Sequence, residues 1–249
     1  MQQHFEKFVL LIAASLFGEF HAALHSGFTT CKTKDADFNS CLNKAIENGV
    51  KFIKNGLKEY NLRPLDPFKY PSMKIGVGAG AVNLEQNYKD ITVTGFSGLT
   101  VLNANMDFDK KKLTFSTAVP LLTQKATYNI DGKILMLPVR GTGPSTLQLQ
   151  NSFSNHTLDF QEQTKDGIVY YKPTKYTIKI STEHANFNFE NLFDGNKLLG
   201  DNINKVVNQE WKLIFLDVRD GFQEAFGQIF LDYAKRIFEK VPMKEIFLE

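Results

Sequence analysis

Histidine is scarce in this chain of 249 residues: five are present, and only His25, His156 and His184 lie beyond the first 22 positions. None sits in a GxSxG, HExxH or comparable frame, so nucleophilic, acid–base or metal-assisted catalysis has no local motif behind it. His156 and His184 read as surface or turn residues, and no enzyme activity is expected. Cysteine is scarcer, with Cys31 and Cys41 alone. Two thiols without a CxxC or HxxxH partner leave zinc under-coordinated, so no metal and no cofactor is expected. Charge of one sign is missing too, since 29 Lys and Arg stand against 27 Asp and Glu. Without a basic run or an aromatic-interleaved Lys/Arg stripe, nucleic acid is not a partner. The acidic pairs Asp35/Asp37 and Asp217/Asp220 read as capping and solvated-face residues. Two glycine-rich stretches also lack what a phosphate loop needs: Gly76-Val77-Gly78-Ala79-Gly80 leads into strand rather than helix, and Arg140-Gly141-Thr142-Gly143-Pro144 has no following Lys-Ser/Thr. Both read as bends or turns.

What is present begins with a short polar segment ending at Lys7, an apolar run from Phe8 to Phe17, and small residues at Ala22 and Ala23. That order is a secretory signal peptide over residues 1–22, with residues 23–249 as one secreted, extracellular domain. Its apolar run is too short to span a bilayer. The 22 residues carry Lys7, Glu6 and Glu19, a net −1, so the formal charge of +2 becomes +3 without them. In a secreted chain, Cys31 and Cys41 are expected to pair in one disulfide. After Cys31, residues Phe38, Cys41, Leu42, Ala45, Ile46, Val50 and Ile53 share one helical face. Asp35 or Asp37 can cap that helix, and Asn55-Gly56 stops it. Pro64, Pro67 and Pro71 then predict an extended connector.

From Met73 to Phe189 the pattern turns to period two, with runs at 112–119, 133–139, 145–153, 157–163 and 176–182 and turns predicted at 109–112, 129–132, 164–167 and 172–173. The sequon Asn155-His156-Thr157 makes Asn155 a glycosylation candidate on an exposed strand or turn. The stretch from Leu198 to Pro242 changes again. Its apolar residues recur at Ile203, Val207, Trp211, Ile214, Val218, Phe222, Ala225, Ile229 and Tyr233, in repeated steps that average about 3.67 residues per turn. Roughly 38 residues predict a rod of about 57 Å. Leu213, Phe215, Leu216, Phe226, Phe230 and Leu231 lie off that stripe, so the helix is apolar round most of its girth and needs enclosing. Lys212, Asp217, Arg219, Asp220 and Glu224 exclude lipid as the enclosing medium. Strands with one polar face supply the alternative. The fold class is therefore α+β: a strongly curved antiparallel sheet wrapping a long C-terminal helix. The 22 phenylalanines can fill a dense core or line an apolar tunnel, and composition alone favours the core.

Several segments carry a resemblance. They are Cys31-Lys-Thr-Lys-Asp-Ala-Asp-Phe-Asn-Ser-Cys41-Leu, Pro64-Leu-Asp-Pro67, Tyr128-x-x-x-Gly132 with Leu137-Pro138-x-x-Gly141-x-Gly143, Phe189-Glu-Asn-Leu-Phe-Asp-Gly-Asn-Lys-Leu-Leu-Gly200, Asn208-Gln-Glu-Trp211 and Val241-Pro-Met-Lys-Glu-Ile-Phe247. Over nearly all of residues 23–249 the chain resembles the insect haemolymph juvenile hormone-binding and takeout-like proteins. Its lone N-terminal disulfide is nearer the takeout branch, with that branch's circadian associations. The resemblance implies a tubular lipid-binding (TULIP-like) fold with an internal apolar tunnel and no catalysis. It implies a secreted, monomeric carrier of a hydrophobic small molecule such as a terpenoid hormone, fatty acid, isoprenoid or odorant. The alternative is a protein using the same fold to engage a lipid surface or a receptor without a free ligand. Tunnel-lining candidates, chosen by helix face and aromatic character, are Tyr128, Met136, Trp211, Phe222, Phe226 and Phe230, with Tyr128 the expected hydrogen-bond donor to a polar ligand head.

Overall fold

The computed structural model describes residues 23–76 and 80–249; the signal-peptide reading over residues 1–22 lies outside them. A two-residue strand β1 (Cys31–Lys32) leads to helix α1 (Phe38–Phe52). Cys31 and Cys41 are disulfide-bonded, tying the incoming segment to the first turn of α1. Gly56, at φ 85, ends the helical region in a conformation that a side chain would strain.

Six antiparallel strands follow: β2 (Phe68–Ile75), β3 (Val82–Thr94), β4 (Thr100–Asp107), β5 (Lys112–Ile134), β6 (Leu137–Lys165) and β7 (Ile168–Phe189). They form an open sheet in the order β2-β3-β5-β6-β7, with β4 paired to the first half of β5 and β3 to its second half. The short runs read from the sequence are thus parts of a few long strands. The turns predicted at 109–112 and 164–167 are found. Asp166-Gly167, with φ of 51 and 78, has the positive angles that a type I′ hairpin needs. Residues 129–132 and 172–173 instead run on as strand: Pro173 pairs with Phe160 beside a register shift in β6. The β5–β6 hairpin turns at Leu135-Met136, with φ of 49 and 70.

The 29 residues of β6 would extend about 95 Å if straight. The sheet shortens and curls because its strands bend. On β5 the buried or cavity-facing residues are Leu113, Phe115, Thr117 and Val119, then Leu122 and Gln124. On β6 they are Leu147 and Leu149, then Ser154, His156 and Leu158. On β7 they are Tyr176, Ile178 and Ile180, then Ala185 and Phe187. Each strand changes parity near its middle, and β7 changes once more beside Pro173, opposite the register shift at Asp159/Phe160. The mid-strand changes fall at Pro120, Asn151 and Glu183, where the ladder pairing is interrupted on both sides of β6. Pro120 has no N–H to give, Asn151 takes φ 46, and the Asn151 amide donates to the Glu183 carboxylate at 2.6 Å.

Two helices close the hollow of the sheet: α2 (Lys197–Gln209) and the 28-residue α3 (Trp211–Phe238), followed by one turn, α4 (Met243–Ile246), and β8 (Phe247–Leu248), which pairs with β1. The single rod of the sequence reading is therefore bent at Glu210, where φ −99 and ψ 24 leave the helical range. A side chain competes with the helix ladder there, since the Asn208 amide donates to the Asn204 carbonyl at 2.8 Å. The predicted stripe is otherwise the buried one: Ile203, Val207, Ile214, Val218, Phe222 and Ile229 all lie in the core. Enclosure is less complete than the girth suggests, because Leu213 and Leu216 are 48 % and 44 % exposed.

Polar side chains on these helices stand in for missing strands. Asn208 and Asn204, one turn apart, each accept from and donate to one residue of the β7 edge, at Phe187 (2.8 and 2.7 Å) and Phe189 (2.9 and 2.9 Å). Further along, the buried Gln223 accepts from the Ile180 N–H at 2.7 Å, and Asp217 accepts from the Val82 N–H at 2.7 Å. The backbone groups of β7 and of the start of β3 are thereby satisfied where no further strand could reach them.

Candidate functional site

Between α1, the cavity face of α3 and the inner face of the sheet lies a cavity of about 340 Å³, within the range of small-molecule sites. The α3 wall is Phe215, Arg219, Phe222, Phe226 and Phe230, spaced so that they share one face. Leu42, Ala45, Ile46, Gly49 and Val50 of α1 form the facing wall, and Leu24 and Phe28 of the N-terminal segment close one side. The inward residues of β5, β6 and β7 form the floor. At the other end of the molecule the interior is filled: Val82, Leu84, Ile130, Phe187 and Val207 surround a gap of only about 20 Å³.

Phe222, Phe226 and Phe230 thus stand on the cavity wall. Phe226 and Phe230 stack with centroids 5.9 Å apart, and Phe230 meets Tyr176 at 5.6 Å. Tyr128, Met136 and Trp211 are elsewhere. Tyr128 is fully buried in the packed end, where its hydroxyl donates to the Glu190 carbonyl at 2.6 Å and is not free for a ligand. Burial and the nearby Glu190 carboxylate push its phenol up to about 12. Met136 lies at the β5–β6 hairpin tip, 82 % exposed, and Trp211 opens α3 against the His184 ring at 5.1 Å. Asn155 is exposed on β6, accepting from the Ser116 hydroxyl at 2.6 Å.

The polar feature of the cavity went unread in the sequence. His156, which the strand pattern puts at the surface, is 7 % exposed and points inward. Its Nε2 lies 3.1 Å from the Thr117 hydroxyl and its Nδ1 2.9 Å from the Tyr176 hydroxyl. Phe115 stacks on the imidazole with centroids 4.4 Å apart and planes within 6°. Burial drives the His156 pKa down to about 3, so the ring is neutral at physiological pH, and burial raises the Tyr176 phenol. All three residues line the cavity, as does Arg219, whose Nε is buried without a hydrogen-bond partner among the described residues. No group of three or more His, Cys, Asp or Glu side chains among the described residues is placed to hold a metal, and no described helix is long and apolar enough to cross a membrane.

Comparison with known proteins gives a consistent result. The family model for haemolymph juvenile hormone binding protein matches residues 8–248. The chain is 28 % identical to the circadian clock-controlled protein daywake of Drosophila melanogaster over 225 residues, covering 87 % of this chain and 85 % of daywake. A juvenile hormone-binding protein of Manduca sexta is 26 % identical over 94 residues, 38 % of this chain and 39 % of that one. A beta-carotene-binding protein assignment in Schistocerca gregaria attaches to a chain 21 % identical over 127 residues, half of this chain and 49 % of that one. The crystal structure of Takeout 1 from Epiphyas postvittana superposes with a TM-score of 0.80 at 24 % identity, covering 89 % of this chain and all of the other.

Proposed function

Because the chain belongs to the haemolymph juvenile hormone binding protein family, whose members carry hydrophobic ligands, we propose that it is a secreted, monomeric carrier holding one elongated hydrophobic small molecule. The candidate cargoes are terpenoid hormones, fatty acyl compounds, isoprenoids and odorants. The observation that supports this is the cavity of about 340 Å³, walled by phenylalanines and aliphatic side chains, set against a gap of only about 20 Å³ in the packed end. Driving force comes from moving apolar surface out of water. A ligand burying on the order of 300 Å² gains about 7 kcal/mol before the costs of association are subtracted. Secretion is proposed from the signal-peptide pattern of residues 1–22, and an N-glycan on Asn155 would stand in solvent, away from the cavity.

The same geometry argues against catalysis. Thr117 and His156 are paired as a nucleophile and base would be, but the third member is the Tyr176 hydroxyl rather than a carboxylate. No carboxylate among the described residues bonds the ring, and burial disfavours its imidazolium form. The exposed Leu198, Leu199, Leu213 and Leu216 favour a second reading, contact with a lipid surface or receptor. Vesicle flotation that depends on these leucines would support it.

The carrier reading is tested by native mass spectrometry of the secreted protein before and after organic extraction. One equivalent of a hydrophobic molecule, removable and restorable, is the expected result. A protein that is empty as purified and takes up no member of a terpenoid and fatty-acyl panel would overturn it.

A further inference from the structure

The cavity is largely apolar, and beside the separate polar side chains of Thr29, Gln124, Ser154 and Arg219 a connected set of polar atoms faces it. Thr117 Oγ1, the two nitrogens of His156 and the Tyr176 hydroxyl form an unbroken chain with links of 3.1 and 2.9 Å. Among the described residues neither hydroxyl has any other hydrogen-bond partner. A neutral imidazole carries one N–H, so the chain can run in two directions. If the proton is on Nε2, it is donated to Thr117, Tyr176 donates to Nδ1, and the Thr117 O–H is left over. If it is on Nδ1, it is donated to Tyr176, Thr117 donates to Nε2, and the Tyr176 O–H is left over. In both cases one hydroxyl hydrogen remains unspent at one end. The chain offers the cavity a donor whichever tautomer is present, and a change of tautomer moves that donor from one end to the other.

We propose that Thr117, His156 and Tyr176 form a specificity subsite for an uncharged ligand bearing a hydrogen-bond acceptor, such as an ester, ketone or ether oxygen, on an apolar chain. An unpaired buried donor is costly, so a pure hydrocarbon leaves it unsatisfied while an ester oxygen completes it. A carboxylate gains the same hydrogen bond but must shed its water beside a ring that resists protonation. Arg219 is the one charged side chain on the described lining. It lies eight residues before Gly227, where α3 meets the Tyr176 carbonyl, which places it about 12 Å along the helix axis from that level. Arg219 is the group that would reverse the preference if the ligand were an acid.

The inference rests on the carrier reading, and the test separates the two. Delipidated full-length protein is titrated with hexadecane, methyl palmitate and palmitic acid, each displacing a fluorescent naphthylamine dye. Methyl palmitate is expected to bind about tenfold more tightly than hexadecane, or about 1.4 kcal/mol, and more tightly than palmitic acid. The triple substitution Thr117→Val, His156→Phe and Tyr176→Phe, which removes every donor of the chain, should bring ester and hydrocarbon to equal affinity. It should also return the infrared carbonyl band of the bound ester from its hydrogen-bonded position to its free one. Equal binding of ester and hydrocarbon by the unsubstituted protein, tighter binding of the acid, or an ester preference that survives the triple substitution would each overturn the subsite. Failure of all three ligands to displace the dye would overturn the carrier reading instead. The comparison of ligands on the unsubstituted protein stands even if the triple variant does not fold.

Discussion

His156 is the residue whose environment departs furthest from what its local sequence suggests. It falls in a glycosylation sequon, between an exposed Asn155 and a half-exposed Thr157, and nothing in that tripeptide marks it as buried. Its inward position follows from the parity change at Asn151, which reverses the faces of every later residue of β6. Strict alternation carried on from Leu147 and Leu149 would put Phe153 inside and His156 outside, whereas Phe153 is 41 % exposed. Burial has a measurable consequence. The folded pKa of about 3 lies below the ordinary 6.5, so between those values the unfolded chain takes up a proton that the folded chain refuses. Stability should therefore fall as pH drops through that window, by up to about 1.4 kcal/mol per pH unit, and be unaffected by this group above it. Urea unfolding at pH 7 and pH 5 checks this: the unsubstituted protein should lose roughly 2 kcal/mol more over that interval than His156→Phe does. Equal losses would mean that the ring protonates in the folded state. Asp66 adds its own loss at lower pH. Burial works to raise its carboxyl, but bonds from the Ser97 hydroxyl and N–H and from the Gly95 N–H outweigh burial and hold it below the ordinary value.

At the scale of elements, the helices were legible and the edges were not. The apolar spacing of α1 and of α2 with α3 reports the buried face directly, because a helix face is set by local geometry. Phe222, Phe226 and Phe230 could be placed together for that reason. The bend at Glu210 was not legible, since asparagines at 204 and 208 look from the sequence like ordinary polar-face residues. Their function is set by a partner 15 to 21 residues away, the exposed edge of β7. Asn208→Ala leaves the N–H and C=O of Phe187 without partners and should destabilise by about 2–4 kcal/mol, and Asn204→Ala by a similar amount at Phe189. Amide exchange should quicken at Phe187 and Phe189 respectively. A loss below about 0.5 kcal/mol, the range of ordinary surface substitutions, would show that these asparagines do not hold the edge.

At the scale of the whole molecule, period-two strands and one enclosed helix were enough to indicate a curved sheet around a rod. What they could not give is where the interior is full and where it is hollow. Tyr128 and Phe222 look equivalent as aromatic candidates, yet Tyr128 sits in the packed end beneath α2 and Phe222 borders the space beneath α1. That difference depends on summed side-chain volumes across six strands and three helices, which no local pattern carries. On the carrier reading, this space is where the ligand sits. Leu122 is half-buried and lines the cavity from β5, so Leu122→Trp should fill it while leaving the packed end untouched. The direct measurement is a dye-displacement titration with methyl palmitate on the unsubstituted protein and on Leu122→Trp, alongside their melting temperatures. One site is expected in the unsubstituted protein and at least a tenfold loss of affinity in the variant, with melting unchanged or raised. A variant that melts normally and binds as tightly as the unsubstituted protein would contradict it.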